Sequence, residues 1–332
     1  MRLHKVNSCI WREALLVLRR YTIFGVCFDA DVALDLPEAP PADEPRFALR
    51  EMVGPWPALG SKTIVQQEAE DWVEWRLFAG GHVEIEWKGW LRFRIDPDGK
   101  SVYYQVQEQT YPTAFEAYVA NFAVSSCLLL QGEEFLHSTV VYWRGAGIGF
   151  LGDSGAGKST LTAHLLTLGA ELVTDDMLRL TEKKGKFYAE PGQPRLKLFE
   201  EAATFHLPAS VNRGRWNPLS EKYLFDLGGS SEVRPHRPLE ALILLAPPQD
   251  GEEEQEIRLR ALAGLELFQT LTASTMNYRL QTPDRLARQF AFASRLANRL
   301  PVYALHYPRR HDVFPEVVRA LEEAVLFKCE TK

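Results

Sequence analysis

Residues 147–160 read Gly-Ile-Gly-Phe-Leu-Gly-Asp-Ser-Gly-Ala-Gly-Lys-Ser-Thr, which fits the G-x-x-x-x-G-K-[ST] loop without a mismatch. The residue types suit anion binding. Glycines at 152, 155 and 157 let the main chain curl, so that the N–H groups from Gly152 through Asp153, Ser154, Gly155, Ala156 and Gly157 point at phosphate oxygens. A helix starting at Lys158, Ser159 and Thr160 adds the partial positive charge of its N-terminus. The Lys158 ammonium suits the β- and γ-phosphates, and the Ser159 hydroxyl suits Mg²⁺. These residues imply a site for a nucleoside triphosphate. Shortly after comes Asp175-Asp176. Two adjacent carboxylates beside such a loop can divide the work, one holding Mg²⁺ and the other taking a proton from an attacking hydroxyl. Their mutual repulsion raises one pKa unless the metal offsets it.

Several elements must position these groups. An apolar strand over 148–151 leads into the loop, and a helix with Leu161, Leu165 and Leu168 on one face leads out, with Gly169 as its cap. Residues 170–174 form a short apolar strand that ends at the Asp pair. Further on, the spacing predicts a strand over 239–245, a helix around 265–272 and another beginning after Pro283, a strand over 302–307 and a last helix after Phe314. This alternation is the signature of an α/β layer. The acidic run 250–256 reads as a solvated turn.

The first third reads as strands. The run 21–28 is aromatic and β-branched, and a Pro-rich stretch over 36–45 follows it. Apolar residues alternate with charged ones at Val73, Trp75 and Leu77, at Val83, Ile85 and Trp87, and at Phe93 and Ile95, which predicts one core face and one wet face. Gly80-Gly81 and Asp98-Gly99 mark the turns between these strands. Trp72, Trp75, Trp87 and Trp90 are read as core rather than as a ligand patch. From Pro112 the period changes, with Phe115, Tyr118, Val119 and Phe122 at helical spacing. That change places a domain boundary at 111/112.

The chain has 332 residues, enough for two domains, and 38 Lys+Arg against 44 Asp+Glu, a net charge of −6. The acidity disfavours nucleic acid as a partner, because binding a phosphate backbone needs a basic face. Cys9, Cys27, Cys127 and Cys329 are scattered without zinc-type spacing and are expected as reduced thiols. The start lacks the apolar core of a signal peptide, and the apolar run near 122–130 is shorter than the roughly 20 residues that span a bilayer. The expectation is a cytoplasmic protein without a membrane partner.

The block Leu136-His137-Ser-Thr-Val-Val-Tyr, the loop at 152–160 and Leu172-Val-Thr-Asp175-Asp176 together resemble the catalytic domain of HPr kinase/phosphorylase. Pro191-Gly-Gln-Pro-Arg195-Leu-Lys197-Leu is similar to an element of HPr-kinase-related proteins that lack the HPr-specific parts, among them the kinases of lasso-peptide biosynthesis. The strong match covers 135–198. The resemblance implies an α/β P-loop kinase core like the C-terminal domain of HPr kinase over 112–332. A smaller β-rich N-terminal domain over 1–111 would precede it, as a docking platform or a support.

The resemblance also implies roles. Asp175 is the general base, Asp176 and Ser159 hold Mg²⁺, and His137 lies near the γ-phosphate of ATP. Arg195 and Lys197 stabilise the transferring phosphoryl group or grip an anionic substrate end, whereas Lys222 and Arg279 read as surface cations. The implied activity is a serine kinase acting on the C-terminal Ser of a ribosomally made precursor peptide, in a homo-oligomeric assembly. A small-molecule kinase for free serine or a sugar, and a nucleotide-regulated P-loop ATPase or binding module, remain open as alternatives. No E-x-R-G segment follows the Asp pair, which argues against HPr as the acceptor and against the reverse reaction.

Overall fold

The computed structural model describes residues 18–40, 42–59, 63–69, 73–107, 112–207, 214–217, 220–228, 232–246 and 256–326. Cys9, Trp72, Cys329 and the acidic stretch 250–255 lie outside the described residues. The chain divides into two compact units, one running to Glu133 and taking in Val233, the other comprising Glu134–Ser230 and Arg234–Lys332.

The first unit holds one eight-stranded sheet: β1 (Arg19–Ile23), β2 (Val26–Ala30), β3 (Ala48–Glu51), β4 (Thr63–Ala69), β5 (Val73–Phe78), β6 (Val83–Trp87), β7 (Leu91–Ile95) and β8 (Ser101–Val106). Its order is β1-β2-β3-β8-β7-β6-β5-β4. The run over 21–28 is not one strand. It folds at Phe24-Gly25, both with positive φ, into the β1–β2 hairpin. Trp75 and Trp87 are buried as expected.

The predicted wet face is largely covered. Glu84 is 1% exposed and accepts from Arg76 at 3.3 Å, Arg92 at 2.9 Å and Arg94 at 2.6 Å, while Trp56 lies against the Arg92 and Arg94 guanidinium groups. Charges on neighbouring strands pair across the sheet, and a buried carboxylate needs such partners.

The boundary also differs from the expectation at 111/112. α1 (Pro112–Tyr118), a π turn over Val119–Ala123 and α2 (Val124–Leu130) belong to the first unit. Trp87 stacks on Tyr118 with centroids 4.4 Å apart, Trp75 meets Phe122, and Phe93 meets Phe115. These rings bury the helical face on the sheet, so the change of period marks a layer within a domain. The helical stretch is longer than the apolar run at 122–130. By length and composition Pro112–Leu130 is able to cross a membrane, and 78% of its most apolar 18-residue window is buried inside the fold.

The second unit is built on a mixed sheet with helices on both faces. Its strands are β9 (Leu136–His137), β10 (Thr139–Trp143), β11 (Ala146–Leu151), β12 (Glu171–Thr174), β13 (Met177–Leu178), β14 (Leu180–Lys183), β15 (Lys186–Ala189), β16 (Arg195–Leu198), β17 (Arg215–Asn217), β18 (Lys222–Asp226), β19 (Arg237–Leu245), β20 (Arg258–Ala261) and β21 (Val302–His306). The central order is β12-β10-β11-β19-β21-β20, with β15 and β14 continuing from the start of β19. β11, β19 and β21 are parallel, and β10 is antiparallel to both β11 and β12, so β12 runs the same way as β11. The carboxyl ends of these four strands share one edge of the sheet. Gly147 permits the close approach of β11 to β19, since a Cβ there would meet the Pro238 carbonyl oxygen at 2.2 Å.

α3 (Lys158–Thr167) and α7 (Phe314–Leu321) pack Leu161, Leu165, Phe314, Val317 and Leu321 on one face of this sheet. α5 (Gly264–Ala273) and α6 (Pro283–Ala297) cover the other with Leu271, Phe292 and Leu296. α4 (Glu200–His206) packs against α3, and there His206 faces His311 at 2.8 Å with the His164 ring 5.4 Å away. Burial, reinforced by the two neighbouring imidazoles, pushes His206 down to about 4. The unfolded chain, with an ordinary histidine near 6.5, therefore binds more protons than the folded one between pH 6.5 and 4. Stability contributed by neutral His206 is complete above that window and is lost as pH falls through it. Thermal melts are expected to show a lower midpoint at pH 5 than at pH 7, and His206→Phe to flatten that difference. An equal drop in the variant would rule out His206 as the source.

Candidate functional site

The loop after β11 carries φ of +135° at Gly152, +84° at Gly155 and +94° at Gly157, backbone conformations that glycine adopts without strain. It ends in Lys158, the first residue of α3. The Lys158 ammonium is 7% exposed and donates to the Gly152 carbonyl at 2.6 Å and the Asp153 carbonyl at 3.0 Å, curling over its own loop. Burial lowers its pKa, against the pull of Asp176 and Asp175.

The Asp pair follows β12 on the same sheet edge. Asp175 is held from three sides. Thr139 Oγ1 donates to its Oδ1 at 2.7 Å, the Asp176 N–H to the same oxygen at 3.1 Å, and the Lys197 N–H to Oδ2 at 3.1 Å. Burial and the charge on Asp176 push the Asp175 carboxyl up to about 6. Asp176 is the opposite case. Burial disfavours its ionisation, but the Lys197 ammonium, hydrogen-bonded to Oδ2, prevails with help from Lys222 and holds the carboxyl below the usual range. Lys197 is half-buried, and against the lowering effect of that burial the two carboxylates raise its pKa. The two acids are thus driven apart, one a strong anion and one poised to take a proton.

Asp176 has φ +67°, an uncommon conformation for a residue with a side chain. Its carbonyl accepts from the Ser138 N–H at 3.2 Å and lies 2.9 Å from His137 Nδ1, and these bonds fix the turn. A carbonyl oxygen only accepts, so Nδ1 carries the proton. Burial lowers the His137 pKa, which leaves the ring neutral with the Nε2 lone pair free of a proton.

Lys158, Asp175, Asp176, Lys197 and His137 come together at this edge of the sheet. Arg195 is buried on β16, two residues before Lys197, with its guanidinium 4.0 Å from Asp226, its cross-strand neighbour. Lys222, read from sequence as a surface cation, acts electrostatically on both Asp176 and Lys158 and lies 5.0 Å from the Phe199 ring. Arg279 lies over the Tyr278 ring at 4.6 Å.

Two supporting residues escape a reading of the sequence. Thr139 lies within the 136–142 block but has no role assigned from sequence. Arg234 donates to the carbonyls of Leu172 at 2.5 Å, Val173 at 3.1 Å and Gly192 at 2.5 Å, tying the acid-bearing strand to the segment that leads into β16. Neither has a local motif; both act across long sequence separations.

A cleft of about 600 Å³ lies against the loop, bounded by Gly152–Ala156, by Leu244 and Leu245 at the end of β19, by Gln269, Thr270 and Ser274, and by His137 and Arg309. Among the described residues no cluster of three or more His, Cys, Asp or Glu side chains is placed to hold a metal. The Asp176 carboxylate and the Ser159 hydroxyl are hard oxygen donors of the kind Mg²⁺ takes, alongside water and substrate phosphates.

No family model matches the chain, and no curated protein matches it. Among solved structures, the Hpr(Ser) kinase/phosphatase from Coxiella burnetii is similar at 15% identity, covering 60% of this chain and 99% of that one, with a TM-score of 0.33.

Proposed function

We propose that this chain is an ATP-dependent kinase that transfers the γ-phosphate to an alcohol, with the C-terminal serine of a ribosomally made precursor peptide as the acceptor. One observation carries the kinase reading: Asp175, oriented by Thr139 and the Lys197 N–H and raised to about 6, shares a sheet edge with the phosphate loop and Lys158. A carboxylate so placed takes a proton from an alcohol or from water, and the fate of the γ-phosphate in the test below separates the two. The peptide acceptor rests on the resemblance of residues 191–198 to an element of HPr-kinase-related proteins, a group in which peptide-modifying kinases occur.

In this reading the acceptor hydroxyl gives its proton to Asp175 as its oxygen forms a bond to the γ-phosphorus, and the bond to the β-phosphate oxygen breaks to leave ADP. Lys158 and the loop N–H groups balance the charge that develops on the phosphates. Lys197 keeps Asp176 ionised and, through its N–H, holds Asp175 in place. Asp176 and Ser159 would hold Mg²⁺, which would supply further neutralisation of that charge.

The test is mass spectrometry of a precursor peptide ending in Ser, of free serine and of a sugar, each incubated with the protein, ATP and Mg²⁺. A gain of one phosphate on the peptide is the expected result. Gain on serine or sugar alone would move the acceptor to a small molecule. Release of phosphate with every acceptor unmodified would defeat the kinase reading.

A further inference from the structure

The acid pair and its partners occupy the β10–β12 flank of the phosphate loop, and Arg309, just beyond β21, occupies the opposite flank. All of them sit at the carboxyl edge of the sheet, where ligands of open α/β sheets bind. A nucleoside triphosphate with its terminal phosphate toward Asp175 therefore sends its nucleoside the other way, past β19 toward β21. The cleft has that extent, reaching from His137 by way of Gly152–Ala156 to Leu244, Leu245 and Arg309.

Arg309 is built for one kind of contact. Its Nη2 donates to the Ala246 carbonyl at 2.6 Å, and the Tyr307 hydroxyl is a further hydrogen-bond partner. One face of its guanidinium lies over the Tyr307 ring at 4.4 Å. The Tyr307 hydroxyl and Nη1 both approach Gly157, at 3.1 and 3.5 Å from where a Cβ would stand, so the pair abuts the end of the loop. Tyr307 is buried and rigid underneath, while Arg309 is exposed. One edge of the guanidinium is engaged at Nη2, one face lies on the Tyr307 ring, and the residue is exposed, which leaves the opposite face for a ligand in the cleft.

We propose that this open face of Arg309, backed by Tyr307, is the seat for the nucleobase, and that it binds by stacking. The proposal rests on the nucleotide-binding reading above. Guanidinium planes stack on any base, so the seat discriminates by ring size rather than by hydrogen-bonding pattern: purine nucleotides bind better than pyrimidine ones, and ATP and GTP bind alike.

Competition binding on the full chain with Mg²⁺, using ATP, CTP and inorganic tripolyphosphate, tests this. Arg309→Ala is expected to weaken ATP about tenfold, since one stacked base is worth that much, and to leave tripolyphosphate unchanged. Arg309→Lys is expected to behave like the alanine variant, because it restores charge without a plane. Loss of tripolyphosphate affinity with rescue by lysine would overturn the proposal in favour of a phosphate grip, and unchanged ATP affinity in Arg309→Ala would overturn it outright. Wild-type protein that binds tripolyphosphate while Arg309→Ala leaves ATP untouched separates failure of the base seat from failure of the loop. Wild-type protein that binds neither ligand would sink both. The side chain is exposed, and a thermal melt confirms that each variant is folded.

Discussion

Asp175→Asn is expected to lower kcat about a thousandfold, within the range that a positioned general base contributes, while ATP affinity stays near that of the parent protein. The substitution keeps the shape of the side chain, and its amide oxygen still accepts from Thr139 and from the Asp176 N–H. The amide nitrogen then faces the Lys197 N–H, a donor against a donor, in place of the carboxylate oxygen. That mismatch costs about 1 kcal/mol of stability, too little to unfold a domain. What disappears is the group able to take the proton. Loss of turnover with retained ATP-induced thermal stabilisation is the signature of a chemical defect. A variant turning over at near-normal rate would show that another group, with His137 Nε2 the first to examine, accepts the proton. Asp175→Glu, which keeps the base and shifts it by one methylene, is expected to retain measurable turnover.

Much of the second unit was legible because its signals are local. The phosphate loop, β11, α3, β12 and α6 each announce themselves through glycine spacing, apolar periodicity or a capping residue within a few positions. α6 is an example: Pro283 is its first residue and the Thr282 hydroxyl accepts from the Arg285 N–H. What escaped is set by pairing at long range. β16, β17 and β18 are short, and only their mutual pairing gives them an identity, yet that sheet delivers Lys197 to the acid pair and Lys222 behind it. Arg234 looks like any polar loop residue until β12 and the 191–193 segment converge on it. The helical segment 112–130 was legible as a helix but not as a partner of the N-terminal sheet, since periodicity reveals which face is apolar and not what covers it. The charged face of that sheet illustrates the same limit. Alternating Glu and Arg look solvated one strand at a time, and become a buried network only when Glu84 meets arginines from its neighbours.

Lys158→Ala is expected to act on the earlier step, raising the Kd for both ATP and inorganic tripolyphosphate about a hundredfold or more, because charge-assisted hydrogen bonds to phosphate are worth about 1.5–3 kcal/mol each. The free protein should tolerate the change. The two carbonyls that Lys158 now satisfies, those of Gly152 and Asp153, sit in a loop that borders the cleft and are open to replacement by water. The thermal midpoint without nucleotide is therefore expected to move little, whereas the added stability that saturating ATP confers on the parent, about 2.7 kcal/mol at a hundredfold excess over Kd, is expected to vanish. The removed charge also sits near both acids. Since Asp176 and Asp175 act on Lys158 electrostatically, its loss leaves Lys197 and Lys222 as their neighbouring cations, and lysine at 158 cannot be replaced by either, because both approach from the β16–β18 side. Set beside Asp175→Asn, the comparison divides the site: one variant binds and does not react, the other does not bind. If Lys158→Ala retained both ATP-induced stabilisation and tripolyphosphate affinity, the loop at 152–160 would not be the phosphate site, and the placement of Asp175 beside it would lose its chemical meaning.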